Sequence, residues 1–182
     1  CGDAESREIR GCGCMWILLM LILFLFLAIM LWIRSSIEKT EEKKCYDAAA
    51  RMIKENSLNE LILSKGTKRT AENKLMICLT TEGKKKQRFI FDPQKGIRIG
   101  RDTQGNEICI RNQLVSSSHC CIYLYQGNPI IQDYHSANGT WIRRGWKTYR
   151  VEETAAIFSG DRLLIGETSL KVRIFMFDMT QL

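Results

Sequence analysis

The stretch CIYLYQGNPIIQD at residues 121–133 holds two short runs of β-branched and aromatic side chains, one on each side of the turn Gln126-Gly127-Asn128. Runs of about four to eight such residues, separated by turn-forming residues, are typical of antiparallel strands joined in a hairpin. The stretch therefore predicts strands at Cys121–Gln126 and Pro129–Asp133.

Short apolar runs alternate with turns in both directions from this hairpin. Turns are expected at Glu82-Gly83, Ser136-Ala-Asn-Gly139 and Ser159-Gly-Asp161. The further predicted strands are Leu75–Thr81, Arg88–Asp92, Ile97–Gly100, Glu107–Ile110, Thr140–Arg143, Ala155–Ile157, Arg162–Ile165 and Leu170–Phe177. About ten to eleven short strands, with no run long enough for a crossover helix between them, predict an all-β sandwich over residues 74–182.

Residues 15–33 form an uninterrupted apolar run that is bracketed by Trp16 and Trp32. A helix of this length crosses about 28 Å, which is close to the thickness of the hydrocarbon core of a bilayer, and tryptophan is enriched at both membrane interfaces. A signal peptide is disfavoured because the run is long and no small-residue cleavage site follows it. The run predicts a transmembrane helix at residues 15–33, behind a short flank at residues 1–14.

Basic residues are more numerous on the C-terminal side of this run. The N-terminal flank has Arg7 and Arg10, whereas residues 34–54 contain Arg34, Lys39, Lys43, Lys44, Arg51 and Lys54. The positive-inside rule then places the C-terminal side in the cytoplasm. The expected arrangement is a single-pass protein of the cell membrane with a cytoplasmic β domain.

Residues 34–73 predict a charged spacer helix and a short linker. The segment is rich in Glu, Lys and Ala, has no Gly or Pro as far as residue 63, and then reaches a helix stop at Ser64-Lys-Gly66. A thin apolar stripe runs along it, formed by Ile37, Cys45, Ala48, Met52 and Leu61. A coiled-coil dimer stalk is the alternative to a plain spacer.

The chain has eight cysteines, two histidines and a formal net charge of +7. No Cys-x-x-Cys pair occurs, so a zinc site is disfavoured, and the cysteines of the β region stand in apolar, strand-like contexts that suit reduced, buried thiols. Cys12 and Cys14 are either palmitoylated or unmodified. Cys1 in place of Met indicates a fragment or a processed chain. The basic excess favours an anionic partner.

Three polar clusters occur in a fixed order within the predicted sandwich: Gly100-Arg101 after a strand, Ser116-Ser-Ser-His119 before a strand, and Asn138-Gly139-Thr140 in a turn. Together with the closing segment from Ser159 to Gly166, they resemble the forkhead-associated (FHA) domain over about residues 74–180. Loops at one end of a rigid sandwich commonly carry binding residues, and arginine with serine hydroxyls suits a phosphate dianion. The resemblance implies a module that binds phosphothreonine peptides and is not an enzyme.

The resemblance also implies a role for each loop residue. Phosphate binding falls to Arg101, Ser116 and Ser117, peptide binding to Asn138 and Ala137, and an architectural role to Gly100, His119 and Gly139. Ser117 stands where many members have Arg, Lys or Asn, and Ala137 stands where Thr is frequent. Each departure is expected to remove a hydrogen bond, at a cost of about 1–3 kcal/mol for one to a charged group.

These observations predict a membrane-tethered module that recruits phosphorylated proteins in Ser/Thr kinase signalling, with the kinase or its substrate as the partner. One alternative is an FHA-like structural subunit of a membrane secretion or division complex that does not bind phosphopeptides. Another is an enzyme whose catalytic part lies on a missing segment. Ser116 and His119 do not predict catalysis, because no orienting acid or nucleophile elbow accompanies them.

No cofactor, metal, small-molecule substrate or nucleic acid is expected as a ligand. Trp141 and Trp146 do not interleave with a basic groove as in single-strand binding proteins, and Trp141 is expected in the core. Arg143, Arg144 and Lys147 either select acidic residues around a phosphosite or form a solvated face. The run Lys84-Lys85-Lys86 is expected to be a solvated turn, with contact to anionic lipid as the alternative.

Overall fold

The computed structural model describes residues 5–63, 73–83 and 86–178, and the side chains of the first of these segments from residue 15 to residue 55. The chain divides into two compact units, Cys1–Lys44 and Cys45–Leu182. Several sequence-based expectations fall outside the described residues. These are the helix stop at Ser64-Lys-Gly66, the linker at residues 67–72, the side chains of Cys12 and Cys14, and Lys84 and Lys85 of the basic turn.

A single helix, α1, runs over Glu5–Leu63. The predicted span at residues 15–33 lies within it, and the large apolar side chains there are exposed all around the helix. By length and composition this helix could cross a membrane. An unburied helix that is apolar on every side suits a lipid surrounding better than water, because no polar face is available for solvent.

Two sheets build the sandwich. The strands of the described chain are β1 Lys74–Thr81, β2 Arg88–Phe91, β3 Ile97–Gly100, β4 Ile108–Cys109, β5 Cys120–Tyr125, β6 Asn128–Asp133, β7 Thr140–Arg144, β8 Lys147–Arg150, β9 Thr154–Ala156, β10 Arg162–Ile165 and β11 Thr168–Phe177. One sheet has the order β2-β1-β11-β10-β7-β8, and the other β4-β3-β5-β6-β9. A short 3-10 turn, Pro93–Lys95, connects β2 to β3. The all-β prediction is confirmed.

The strand missing from the sequence-based prediction is β8. Its residues Lys147, Thr148 and Arg150 are exposed, so it carries little of the apolar signal that reveals an inner strand. Among the described strands it pairs only with β7, at the edge of its sheet. The close turn at Gly145, where φ is 59°, brings β8 back along β7.

Inward-facing aliphatic side chains of both sheets form the main core. Its fully buried members include Ile77, Leu79, Ile97, Ile99, Ile122, Ile131, Ile142, Leu163, Leu170 and Val172. β-Branched residues dominate because they pack well against the pleated surface of a sheet. This rigid core holds the loops at each end of the sandwich in position.

A second apolar cluster joins α1 to the sheet within the unit Cys45–Leu182. Ala49 and Ile53 of the helix are buried with Met76 of β1 and Phe177 of β11. The Tyr46 ring stacks on the Phe177 ring at a centroid separation of 4.7 Å. This part of the expected charged spacer therefore has a buried apolar face.

Candidate functional site

Strand register brings the three polar clusters to one end of the sandwich. β3 and β6 both pair antiparallel with β5, with Ile99 opposite Cys120 and Cys120 opposite Asp133. The loop after β3, the loop before β5 and the loop after β6 are therefore neighbours, although they are far apart in the sequence. The arginine, serine and asparagine clusters lie in these three loops.

Backbone hydrogen bonds join the first two loops. The amide of Arg101 donates to the carbonyl of Ser116 at 2.9 Å, and the amide of Asp102 donates to the carbonyl of Ser117 at 3.4 Å. A Cβ atom on Gly100 would lie 2.2 Å from the Ser117 carbonyl oxygen, so only glycine fits this close approach. Gly100 is therefore part of the close contact between these two loops.

The side chain of Arg101 is exposed at the edge of these loops. Its Nη2 donates to the Ser117 hydroxyl at 3.4 Å, and its Nε lies 4.0 Å from Asp102 Oδ1. The thiol of Cys109 donates to the Arg101 carbonyl at 3.0 Å and supports the backbone beneath the guanidinium. Arg101 and Ser117 are thus close together, and most of the guanidinium donors face solvent.

The second and third loops are joined through side chains. The amide of Ala137 donates to the Ser116 hydroxyl oxygen at 3.1 Å, and Asn138 Nδ2 donates to the Leu114 carbonyl at 2.9 Å. Trp141 Nε1 donates to the Asn138 carbonyl at 3.3 Å. Because Trp141 is 39% exposed on the outer face of β7, the expectation that it belongs to the core is wrong.

His119 is fully buried and connects the same two loops from below. Its Nδ1 accepts the backbone N–H of Ser116 at 3.1 Å, so its Nε2 carries the proton and faces the Gly139 carbonyl at 3.4 Å. Burial is the main cause that lowers the pKa of His119. Neither ring nitrogen contacts the Ser116 hydroxyl in the described structure, so the pair is not arranged as a nucleophile and its base.

Two further residues support the site and were not singled out from the sequence. Asp133 accepts hydrogen bonds from the hydroxyl and amide of Ser136, at 2.7 and 2.9 Å, and from the Thr140 hydroxyl at 2.6 Å. Asn106 Nδ2 donates to the carbonyls of Asp102 and Ser117, at 2.9 and 2.8 Å. The only sequence signal for Asp133 was its place before a turn, where aspartate commonly bonds the backbone ahead of it.

The electrostatics of the Asp133 brace follow from these contacts. Burial raises the pKa of the carboxyl group, but the hydrogen bonds from Thr140 and Ser136 outweigh that effect and leave the pKa of Asp133 below its ordinary value. The carboxylate is therefore ionised at neutral pH, and it fixes the start and the end of the turn that contains Ala137 and Asn138.

The basic residues near the turn of the β7–β8 hairpin, Arg143, Arg144 and Lys147, do not join the site. Arg144 is held by Asp161 through a bidentate pair, with 2.8 Å from Nε and 2.7 Å from Nη2 to the carboxylate oxygens. Arg143 lies opposite Thr148 near the hairpin turn, at the other end of β7 from Asn138. Among the described residues, no group of three or more His, Cys, Asp or Glu side chains is arranged to hold a metal ion.

Comparison with known proteins agrees with the sandwich fold. Residues 97–166 match the FHA domain family. An FHA domain-containing protein of Arabidopsis thaliana is 34% identical over 92 residues, which cover 50% of this chain and 23% of that protein. The β-sandwich described above is an FHA domain. FHA domains are known for binding phosphothreonine peptides, and they are binding modules and not enzymes.

One solved structure shares the fold, and another is similar to part of the chain. The FHA domain of the CT664 protein from Chlamydia trachomatis is 19% identical, with a TM-score of 0.50, over 56% of this chain and 98% of that one. The FHA domain of an Arabidopsis thaliana protein is 27% identical, with a TM-score of 0.47, over 63% of this chain and 93% of that one. The chain spans about a quarter of the length of its Arabidopsis sequence relative.

Proposed function

We propose that this FHA domain binds phosphothreonine peptides through Arg101, Ser116, Ser117 and Asn138. The observation that carries the proposal is the pairing of an exposed Arg101 guanidinium with a serine hydroxyl, in a loop joined by hydrogen bonds to the loop of Asn138. A guanidinium offers a planar fork of donors that matches phosphate oxygens. Because the supporting loops are already braced, little ordering remains when a ligand binds.

Each hydroxyl and amide has a definite role in this proposal. The Ser116 oxygen accepts from the Ala137 amide, which leaves the serine proton to donate to a phosphate oxygen. Ser117 supplies a second hydroxyl beside Arg101. The side-chain amide nitrogen of Asn138 is used on Leu114, so its side-chain oxygen is available to accept a main-chain N–H of the peptide. Gly100, His119 and Gly139 position these loops.

Ala137 presents a methyl group where a hydroxyl would add a hydrogen bond to the phosphate. Its backbone amide is already used on Ser116, so Ala137 contributes shape and not a donor. We expect affinity to rest on Arg101 and the two serines.

We further propose that α1 tethers the domain to the cell membrane, with the domain in the cytoplasm and phosphorylated proteins of a Ser/Thr kinase pathway as its partners. Exposed apolar side chains over residues 15–33 and the basic residues that follow them support this arrangement. The proposed layout is a flank at residues 1–14, a span at residues 15–33, a spacer and linker at residues 34–73 and the domain at residues 74–182.

The test uses the full chain in detergent micelles and a library of phosphothreonine peptides, with threonine and phosphoserine versions as controls. We expect phosphate-dependent binding that falls at least about 10-fold in Arg101→Ala, the loss of a hydrogen bond to a charged group. Arg143→Ala, which removes the same charge far from the loops, should bind as the parent does. Binding should also weaken as the salt concentration rises and as the phosphate is protonated at about pH 6.

Failure of a folded chain to bind any peptide in the library would contradict the proposal. That outcome, combined with assembly of the chain into rings or filaments, would favour the structural alternative. Binding that depends on the peptide but not on its phosphate would equally count against the roles assigned to Arg101 and the serines.

A further inference from the structure

Arg150 ends the edge strand β8 and lies beside the loop that carries Asn138. A Cβ atom placed on Gly139 would come within 2.6 Å of Arg150 Nε and within 3.1 Å of Nη2, so the guanidinium rests against the Gly139 backbone. Strand pairing explains this contact, because Arg150 is directly opposite Trp141 on β7 and the Val151 amide bonds the Thr140 carbonyl at 2.8 Å. The end of β8 is therefore next to the start of β7 and to the peptide-binding loop.

The Arg150 guanidinium forms no hydrogen bond or ion pair with the residues that the structure describes, and the side chain is exposed. Arg144 on the neighbouring strand differs, because Asp161 neutralises it. Glu152 and Glu153 follow Arg150 in the sequence, but neither is within ion-pair distance of it. Arg150 is thus a positive charge with its donors unused at the rim of the candidate site.

The neighbouring Trp141 side chain completes this rim. It is on the same face of the sheet as Arg150, because directly opposite residues of an antiparallel pair project to the same side. Its indole nitrogen bonds the Asn138 carbonyl, so the ring is held next to the loop. The Trp141 and Arg150 side chains therefore project from the same outer face of β7 and β8, next to the loop of Asn138.

A peptide main chain held by Asn138 passes next to Gly139 and hence next to Arg150. An extended peptide advances about 3.3–3.6 Å per residue, so side chains within about three residues of the phosphothreonine are in reach of the guanidinium. We infer that Arg150 is a specificity-determining residue, which selects an aspartate or glutamate close to the phosphothreonine in the partner. The inference rests on the proposed phosphopeptide binding and adds to it the chemical class of the preferred partner segment.

The test measures binding of the full chain in micelles to a phosphothreonine peptide whose neighbouring positions are replaced one at a time by Asp, Asn or Lys. At physiological ionic strength we expect Asp to be favoured over Asn about 3- to 5-fold at one position, as for a partly exposed ion pair. In Arg150→Gln this ratio should fall to about 1, with phosphate dependence retained. Arg150→Glu should favour Lys at that position, and Arg143→Gln should behave as the parent.

An Asp preference that survives in Arg150→Gln would overturn the inference. So would phosphate-dependent binding by the parent chain without any preference among Asp, Asn and Lys, although this second result leaves the proposed function intact. If Arg150→Gln also abolishes phosphate dependence, Arg150 binds the phosphate itself and the specificity role is refuted. Absence of phosphate-dependent binding in the parent chain refutes both proposals together.

Discussion

Replacing Ile53 by alanine discriminates between a solvated spacer helix and a helix that forms part of the folded domain. Ile53 is 7% exposed and lies with Ala49, Met76 and Phe177 in one apolar cluster. Truncating a buried isoleucine to alanine costs about 2–5 kcal/mol, and the low end, about 2 kcal/mol, suits a helix that packs on the outside of a sheet. In a solvated helix the same change is neutral or stabilises by up to about 0.5 kcal/mol, because alanine is the better helix former. A buried helix face therefore predicts a loss of stability in Ile53→Ala, whereas a solvated helix predicts no loss or a small gain.

The assay is hydrogen exchange, read by mass spectrometry on peptides that cover residues 45–55 and β1, with the full chain in micelles. A loss of about 2 kcal/mol raises the population of the open state about 30-fold, and exchange in both segments should accelerate accordingly. Arg51→Ala is the matched control, since Arg51 is exposed on the same helix. Hydrogen exchange in the two segments should change little in this variant. Unchanged or slower exchange in Ile53→Ala would refute the assignment of this helix face to the domain core.

Three further perturbations test the architecture of the binding loops. Gly100→Ala places a methyl group 2.2 Å from the Ser117 carbonyl oxygen. We expect thermal denaturation to show a loss of stability of about 1–3 kcal/mol, and phosphopeptide titration to show weaker binding. Parent-like behaviour in both assays would contradict the close packing. Asp133→Asn deprives the Ser136 and Thr140 donors of a charged acceptor. Urea titration should show that the free energy of unfolding falls by about 2–3 kcal/mol. A fall below about 0.5 kcal/mol would show that these hydrogen bonds from Asp133 are dispensable. The pKa of His119 is lowered in the folded state, so the unfolded chain binds a proton more readily and stability should fall as pH decreases through about 6.5. Melting curves recorded between about pH 7.5 and pH 5.5 test this. A melting temperature that does not change with pH would be inconsistent with a buried neutral imidazole.

Strand positions were largely predictable because they depend on local chemistry. The β-branched run at Ile97–Gly100 and the run at Arg162–Ile165 have the predicted bounds, and the other predicted strands differ from the observed ones by one to two residues at their ends. The exposed edge strand β8 escaped prediction since its stability comes from pairing with β7 and not from an apolar run. Trp141 was misjudged for a related reason, because its type suggests burial whereas its place on the outer face of an edge region exposes it.

The residues of the candidate site also fall into two groups, those that the sequence identified and those that it did not. Arg101, Ser116 and Asn138 belong to short motifs that the chain carries in a fixed order, so they were identifiable before any contact was known. Asp133 and Asn106 act through hydrogen bonds to other loop residues; the sequence marks Asp133 only by its place before a turn and does not mark Asn106.

By itself, the sequence determined the apolar helix at residues 15–33, the β-rich character of the chain from residue 74 and the order of the three polar loops. These features follow from residue type and spacing over a few positions, which act within a single element. Only the tertiary structure decided that Arg150 lies against Gly139, that Asp133 braces the Asn138 turn and that Ile53 is buried beside Phe177. Such neighbours are set by strand register and by packing between distant segments, and a register shift of one residue would move the strand residues Asp133 and Arg150 to the opposite faces of their sheets.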